Sequence, residues 1–254
     1  LAMNHFVFAT LLISCSLLGF CFTSEYKTVS CVLHVHSKYS SGDLSIQEIV
    51  ELARQKNIDC VVLTDHFVEK VEYGLWPLRN ILKPTRERNS VVKFGIENYL
   101  YEIKRFNHIQ KEVILIPGFE VTPHYYWSLT ENGLVANNLS KHMLIINISD
   151  VNIVKNLPVV GNPYRKKFMW YTLYPAVLLI IGVLLKSRVL VIVSLILFTM
   201  NYPYKSTAGF KQYKNYDEKP YQALINFVNR YNEKLARSKP EYGIVLWAHP
   251  EAVN

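Results

Sequence analysis

The sequence predicts an α/β fold built around a parallel sheet, and three observations carry that expectation. A strand, an amphipathic helix and a second strand follow one another within residues 28–64. Short, nearly continuous apolar runs then recur at 113–116, 143–148 and 243–247, with helical patterns at about 95–111 and 218–237 between them. Polar, chemistry-bearing residues gather at the ends of these runs. A strand-helix-strand unit makes its two strands parallel, because the helix carries the chain back to its starting edge.

Each element has a local reason. Residues 28–35, Thr-Val-Ser-Cys-Val-Leu-His-Val, are rich in β-formers and end in polar residues. Ser45-Ile-Gln-Glu48 is a capping box, and Ile46, Ile49, Val50 and Ala53 share one helical stripe after it. Asn57 stops that helix, and Cys60-Val-Val-Leu-Thr64 is the next strand. Residues 67–94 and 122–140 read as long loops, which on a rigid scaffold often carry function.

Residues 168–204 break the alternation. Phe168 to Leu185 is uncharged, Lys186-Ser187-Arg188 interrupts, and Val189 to Tyr204 is apolar again. Both arms are apolar on every face, with Tyr171, Tyr174, Tyr202 and Tyr204 near their outer ends, where interfacial aromatics sit. At 1.5 Å per residue each arm reaches roughly 24–27 Å, a little short of the ~30 Å hydrocarbon core. A two-helix transmembrane hairpin is therefore expected, the alternative being a helical hairpin buried in a globular core. Two crossings return both flanks to one side, so the flanking sequence can still fold together.

The N-terminus carries an apolar run from Phe6 to Phe22 followed by Thr23-Ser24-Glu25, the length of a secretory core, although no Lys or Arg precedes it. The expected organisation is a signal peptide or N-terminal anchor at 1–24, a first part of the folded domain at 25–165, the hairpin at 166–205 and the domain's continuation at 206–254. The expected location is membrane-associated with the folded part extracytoplasmic. The basic tip Lys186/Arg188 agrees with that orientation, while Arg165, Lys166, Lys167 and Lys205 weigh against it.

With 254 residues, half of them hydrophobic, the chain can build one large domain or two small ones. A net charge of +8 favours anionic partners: phosphorylated ligands, nucleic acid or anionic lipid. Arg165-Lys166-Lys167 beside an apolar segment suits the headgroups of a lipid bilayer. There is no zinc-knuckle spacing and no basic helix interleaved with aromatics, so sequence-specific nucleic-acid binding is not expected. Cys15 and Cys21 lie in the leader, and Cys31 and Cys60 lie in strands expected to be buried. No paired spacing suggests a disulfide framework, so all four read as small hydrophobes.

The histidines and acids carry the chemistry. His34 and His36 close the first strand at i, i+2, so both point to one side of it. Asp65 and His66 close the second, Glu120 follows the third in Ile-Pro-Gly-Phe-Glu, and His249 closes the last in Trp-Ala-His-Pro-Glu. His142 stands before its strand rather than after it. Residues at the C-terminal ends of parallel strands converge on one mouth of the sheet or barrel. Imidazole plus carboxylate without thiolate suits zinc, manganese or iron. One glutamate among several histidines can bridge two ions, and a hydroxide shared between them is a nucleophile at neutral pH. A single strand-end histidine is ordinarily just a satisfied polar residue. Five of the chain's eight at strand boundaries are not explained that way. His5, His108 and His124 read as leader, helix surface and loop.

Leu33-His-Val-His-Ser-Lys-Tyr-Ser-Ser-Gly42, Leu63-Thr-Asp-His66, Pro117-Gly-Phe-Glu120, Lys141-His142 and Ala248-His249-Pro250 occur in that order. This series resembles the PHP (polymerase and histidinol phosphatase) superfamily of metal-dependent phosphoesterases, whose first motif is His-x-His-Ser/Thr followed by a Ser-x-Gly turn. The resemblance covers roughly 28–150 and 218–254 and implies a distorted (β/α)7 TIM-like barrel, here interrupted by the hairpin. It also implies two or three divalent ions, zinc or manganese with iron as a further candidate. By motif, His34 and His36 hold a first ion, Glu120 bridges to a second completed by His142 and His249, and His66 holds a third. Asp65 is implied as a carboxylate that supports the ligands from behind or handles a proton, rather than as a direct ligand.

Two positions depart from the family pattern. Ser41 stands where the family usually has Asp before the turn glycine, leaving Asp43 as the candidate third-metal ligand in its place. The closing Asp-x-His motif is absent before Asn254, so a truncated C-terminus is expected. The resulting expectation is hydrolysis of a phosphorylated small molecule or a phosphodiester by a metal-bound hydroxide. Asp65 and His66 assist catalysis, and His124, four residues past Glu120, touches substrate. The alternative is a non-catalytic, membrane-anchored metal- or ligand-binding module on the same fold. Polymerase proofreading or histidinol-phosphate hydrolysis fits the superfamily but not the hairpin and leader.

Overall fold

The capping box behaves as its spacing predicts: Ser45 Oγ accepts the Glu48 N–H at 3.2 Å, and the Glu48 carboxylate accepts the Ser45 N–H at 2.7 Å. It opens helix α1 (Ile46–Gln55), whose buried stripe is the one expected, Ile46, Ile49, Val50 and Ala53. The computed structural model describes residues 28–75, 82–131, 133–165, 173–200, 218–235 and 242–248. The leader at 1–24 with Cys15 and Cys21, His249 and the expected C-terminal truncation all lie outside the described residues.

Helix α1 joins β1 (Cys31–Val35) to β2 (Cys60–His66), and the two strands are parallel, completing the expected unit. After a short hairpin, β3 (Lys70–Glu72) and β4 (Thr85–Glu87), come α2 (Val91–Phe94), α3 (Ile96–Ile109) and β5 (Ile114–Val121). A second hairpin, β6 (Tyr126–Thr130) and β7 (Gly133–Asn137), precedes β8 (Met143–Ile146) and α4 (Val151–Lys155). Helices α5 (Tyr174–Leu184), α6 (Arg188–Met200) and α7 (Lys219–Leu235) lead to β9 (Ile244–Trp247). The main sheet has the order β1-β2-β5-β8-β9 and curls into a half barrel.

The core forms where this sheet meets the helices. Leu63, Phe119 and Ile145 are fully buried among α1, α3 and α7, joined by Ile96, Tyr99 and Leu224. Each such apolar side chain contributes about 1.5–3 kcal/mol by leaving water. The buried Tyr99 hydroxyl donates to the Gly118 carbonyl at 3.1 Å, so it carries no desolvation penalty into the core.

Several expectations are corrected. The sheet is mixed: β1, β2 and β5 are parallel, but β8 is antiparallel to both β5 and β9. Parallel pairing needs a crossover, and the chain between β5 and β8 contains the β6–β7 hairpin instead of a helix, so β8 starts from the end that β5 has just left. Among the described residues the main sheet has five strands, which curl as half of the expected distorted barrel. The two stretches read as loops contain paired strands and, in the first, helix α2. Cys60 is buried as expected, but Cys31 is exposed because β1 is an edge of the described sheet, and Val32 and Leu33 are exposed with it.

The transmembrane hairpin is also overturned. Helices α5 and α6 have 11 and 13 residues, about 16 and 20 Å at 1.5 Å per residue, against a hydrocarbon core of ~30 Å. No helix among the described residues is long and apolar enough to cross a membrane. Pro175 lies in the first turn of α5, where its missing N–H and fixed φ set a start rather than a continuation of the apolar run. Lys186 turns left-handed at φ 52° just after α5 ends. The expected membrane-associated, extracytoplasmic location loses its basis with the hairpin. The buried alternative fails as well, since Val177, Ile180, Leu184, Val189 and Ile192 are exposed.

Candidate metal centre

The first two histidines come together through a distortion of β1. Leu33 pairs with Val62 and Val35 with Leu63, leaving His34 as a bulge with φ of 68°. A left-handed non-glycine residue costs about 1–3 kcal/mol and persists where the surroundings require it; a bulge re-aims the side chain it carries. Thr64 Oγ1 lies 2.7 Å from His34 Nδ1, leaving Nε2 facing Glu120 Oε1 at 3.8 Å. His36 stands just beyond the strand, so simple i, i+2 alternation does not aim the pair. Its Nδ1 is 3.1 Å from both Ser40 Oγ and Ser41 Oγ, and its Nε2 lies 3.1 Å from Glu120 Oε2. Ser41, where the family pattern has Asp, thus contacts the back of a histidine ring.

Asp65 holds this turn from beneath. Fully buried, it accepts the Ser37 N–H at 2.8 Å, the Ser37 hydroxyl at 2.8 Å and the Ser40 hydroxyl at 2.6 Å. Thr64 and His66 share one face of β2 and Asp65 takes the other. The carboxylate therefore points into the turn, where it meets Ser37 and Ser40.

Glu120 is the centre of the cluster. It pairs with His66 across β2 and β5, and only 2% of it is exposed. His142 Nδ1 lies 2.5 Å from Oε1, and His66 Nδ1 lies 3.3 Å from Oε2. Burial raises the Glu120 carboxyl, but hydrogen bonds from His142 and His36 and the charges of His142 and His66 outweigh it and hold the group well below the usual carboxylate range. Burial depresses His66, aided by His36 and His142 and opposed by Glu120 and Glu69. A lowered imidazole is neutral near pH 7, with a lone pair available to a metal.

His142 reaches the cluster because β8 is antiparallel. Its N-terminal end, at Met143 opposite Val121, lies at the same mouth as the C-terminal end of β5. The placement that looked irregular in a parallel sheet is the correct one in the mixed sheet.

Two groups of residues could hold ions, His34 with His36 and Glu120, and His66 with Glu120 and His142. Within each, the donor atoms lie within 4.8 Å of one another, and Glu120 belongs to both. His66 is grouped here with His142 and Glu120. Asp43 is exposed and joins neither group. His124 is fully buried with its ring stacked on Tyr126 at 6.0 Å and is not among the residues lining the cavity that adjoins the cluster. His108 is on the exposed face of α3, as expected. The residues that match the PHP domain family model run from 33 to 245.

The chain belongs to the PHP domain family. No curated protein matches it significantly. PHP domains are typically metal-dependent phosphoesterases that bind divalent ions, and the donor set fits such ions. Oxygen contacts occupy Nδ1 of His34 and His36 and turn Nε2 toward the carboxylate, the arrangement by which neighbouring groups fix a ligating histidine's tautomer.

This PHP domain has a cavity of about 340 Å³ beside the centre, lined by His66 and His142 and by Lys70, Arg86 and Arg88. The sequence reading missed the three basic residues because their segment looked like loop. The Thr-Arg-Glu-Arg run at 85–88 was the available signal.

Gly42 closes the turn that carries His36. Its N–H donates to the Ser37 carbonyl at 3.0 Å, and a Cβ there would lie 2.1 Å from the His36 carbonyl oxygen and 2.9 Å from the Ser37 nitrogen. Both obstacles are backbone, so nothing flexible can yield. Gly42→Ala is expected to destabilise the fold by about 2–4 kcal/mol and to weaken metal binding by about 10- to 100-fold. Urea denaturation and metal titration measure the two effects.

Proposed function

We propose that this PHP domain hydrolyses a phosphoester, a phosphorylated small molecule or a phosphodiester, with divalent ions that would be held by the two histidine groups and by Glu120, which belongs to both. The observation that carries the reading is the sharing of one buried carboxylate by four imidazoles in two groups. A buried anion surrounded in this way is matched to paired cations rather than to a single proton. When bound, the ions would supply Lewis acidity to the phosphoryl oxygens and lower the pKa of a water.

The chain's own residues do the rest. His34 and His36 present Nε2 from a bulge and a turn that Thr64, Ser40 and Ser41 hold in place. Asp65 is a positioning residue, acting through Ser37 and Ser40 to keep His36 oriented. His66 and His142 close the second group and form the wall shared with the cavity, so a phosphoryl group at the centre has its remaining substrate beside it. Zinc and manganese suit this nitrogen and oxygen set, with iron as a further candidate.

Elemental analysis of the purified full chain, paired with hydrolysis of phenyl phosphate, tests the reading. About two ions per chain, with turnover abolished by His34→Ala, is the expected result. A folded protein that takes up no divalent metal would sink it. Bound metal without turnover on phosphomonoesters or phosphodiesters would instead favour a metal-binding module, a reading that Ser41 in the place of the usual Asp supports.

A further inference from the structure

We propose that the β3–β4 hairpin makes the cavity a receptor for a second anionic group on the substrate, a phosphate or carboxylate separate from the scissile phosphoryl, with Arg86 as its specificity-determining residue. The proposal rests on the phosphoesterase reading and names the substrate class for the same site.

The charge balance of the cavity wall carries the argument. Lys70, Arg86 and Arg88 line it against one carboxylate, Glu69. Glu69 is bound by Arg88 at 3.0 Å, and Lys70 is bound by the buried Glu72 at 2.9 Å. Glu72 also takes Lys83 at 3.0 Å, and the hairpin's other acid, the exposed Glu87, does not line the cavity. Arg86 stands opposite Val71 across the hairpin rather than opposite an acid, and among the described residues no ion pair holds it. A planar guanidinium is suited to bidentate contact with phosphate or carboxylate.

Position and size agree with that role. The same cavity is lined by His66 and His142 of the centre and by Arg86 of the hairpin, so one ligand can touch both. Its volume of about 340 Å³ falls in the range of small-molecule sites, roughly 300–1,000 Å³, which exceeds what a lone phosphate needs. The wall also carries Thr122, Ser140 and Tyr125, whose hydroxyls are neutral; burial pushes the Tyr125 phenol up to about 12. Nothing there repels an anion except Glu69, which Arg88 offsets.

Calorimetric binding to the metal-loaded full chain needs no turnover and decides the matter. Methylenebisphosphonate is expected to bind about 10- to 100-fold more tightly than methylphosphonate, the range one charge-assisted pair supports. Arg86→Ala should bring that ratio close to one, Arg86→Lys should restore part of it, and Lys104→Ala on exposed α3 should leave it unchanged. Equal binding of the two probes by the wild-type chain, or a ratio untouched by Arg86→Ala, would overturn the proposal. Comparing phenyl phosphate with phenylene bisphosphate and carboxyphenyl phosphate then tells a distal phosphate from a carboxylate. Absence of hydrolysis on all three would count against the phosphoesterase reading alone, because the binding ratio stands apart from it.

Discussion

Glu120→Gln is expected to give a folded chain that retains little divalent metal and hydrolyses phosphoesters at least about a thousandfold more slowly, a loss of about 4 kcal/mol of transition-state stabilisation. The amide keeps the carboxylate's shape, and the β5 backbone pairing with β2 and β8 does not involve the side chain, so the sheet survives. What disappears is the negative charge that both groups of histidines share. An amide offers one oxygen acceptor and turns its other end into a donor, so it cannot neutralise two cations. Hydrogen bonds and neighbouring charge hold the Glu120 carboxyl well below its usual range despite burial. It is therefore ionised across neutral and mildly acidic pH, and the substitution should act equally at pH 6 and pH 8. Elemental analysis, circular dichroism and steady-state hydrolysis of phenyl phosphate on one preparation separate loss of metal from loss of fold. Full metal content with normal turnover in Glu120→Gln would remove Glu120 from the centre.

The residues of this centre were legible in the sequence where local rules apply. The capping box, the stripe of Ile46, Ile49, Val50 and Ala53, and the apolar run from Cys60 specify a βαβ unit without help from the rest of the chain. Histidines and acids at strand ends then identify His34, His36, His66 and Glu120. The direction of β8 was not legible, since nothing in Met-Leu-Ile-Ile says which way the strand runs. That follows from the hairpin before it, whose Asn132-Gly133 dipeptide is a turn signal. Reading 122–140 as loop hid the reversal and made His142 look misplaced.

Two other misreadings have physical causes. The polar strands Lys-Val-Glu and Thr-Arg-Glu have no apolar alternation to announce them, because each hairpin strand is only three residues long. The basic wall of the cavity was hidden with them. At 168–204, hydropathy was counted across Pro175 and Lys186, the two positions that bound α5. Apolar composition says that a segment avoids water. Helix length is set by the backbone, and no helix among the described residues is long and apolar enough to cross a membrane.

The sequence left Asp65 two roles, supporting the ligands or handling a proton, and its substitution has the second large expected effect. Asp65→Ala leaves the Ser37 N–H, the Ser37 hydroxyl and the Ser40 hydroxyl without their acceptor, at two residues buried to 0% and 7% exposure. Each orphaned donor costs about 1–3 kcal/mol. Because one rearrangement of the turn can relieve more than one of them, the expected total is about 4 kcal/mol, a large part of a domain's usual 5–15. Asp65→Asn keeps the volume and one acceptor oxygen but turns an amino group toward a donor, so it should lose about half as much. Ser40 also contacts His36 Nδ1, and a loosened ligand of this kind typically lowers metal affinity by about 10- to 100-fold. Urea midpoints and metal titration should therefore fall together in the order wild type, Asp65→Asn, Asp65→Ala. A proton-handling Asp65 would give another pattern, with unchanged urea midpoints, unchanged metal affinity and a loss confined to kcat. That result would mean that the turn does not depend on its buried carboxylate and that Asp65 acts on the leaving group after all.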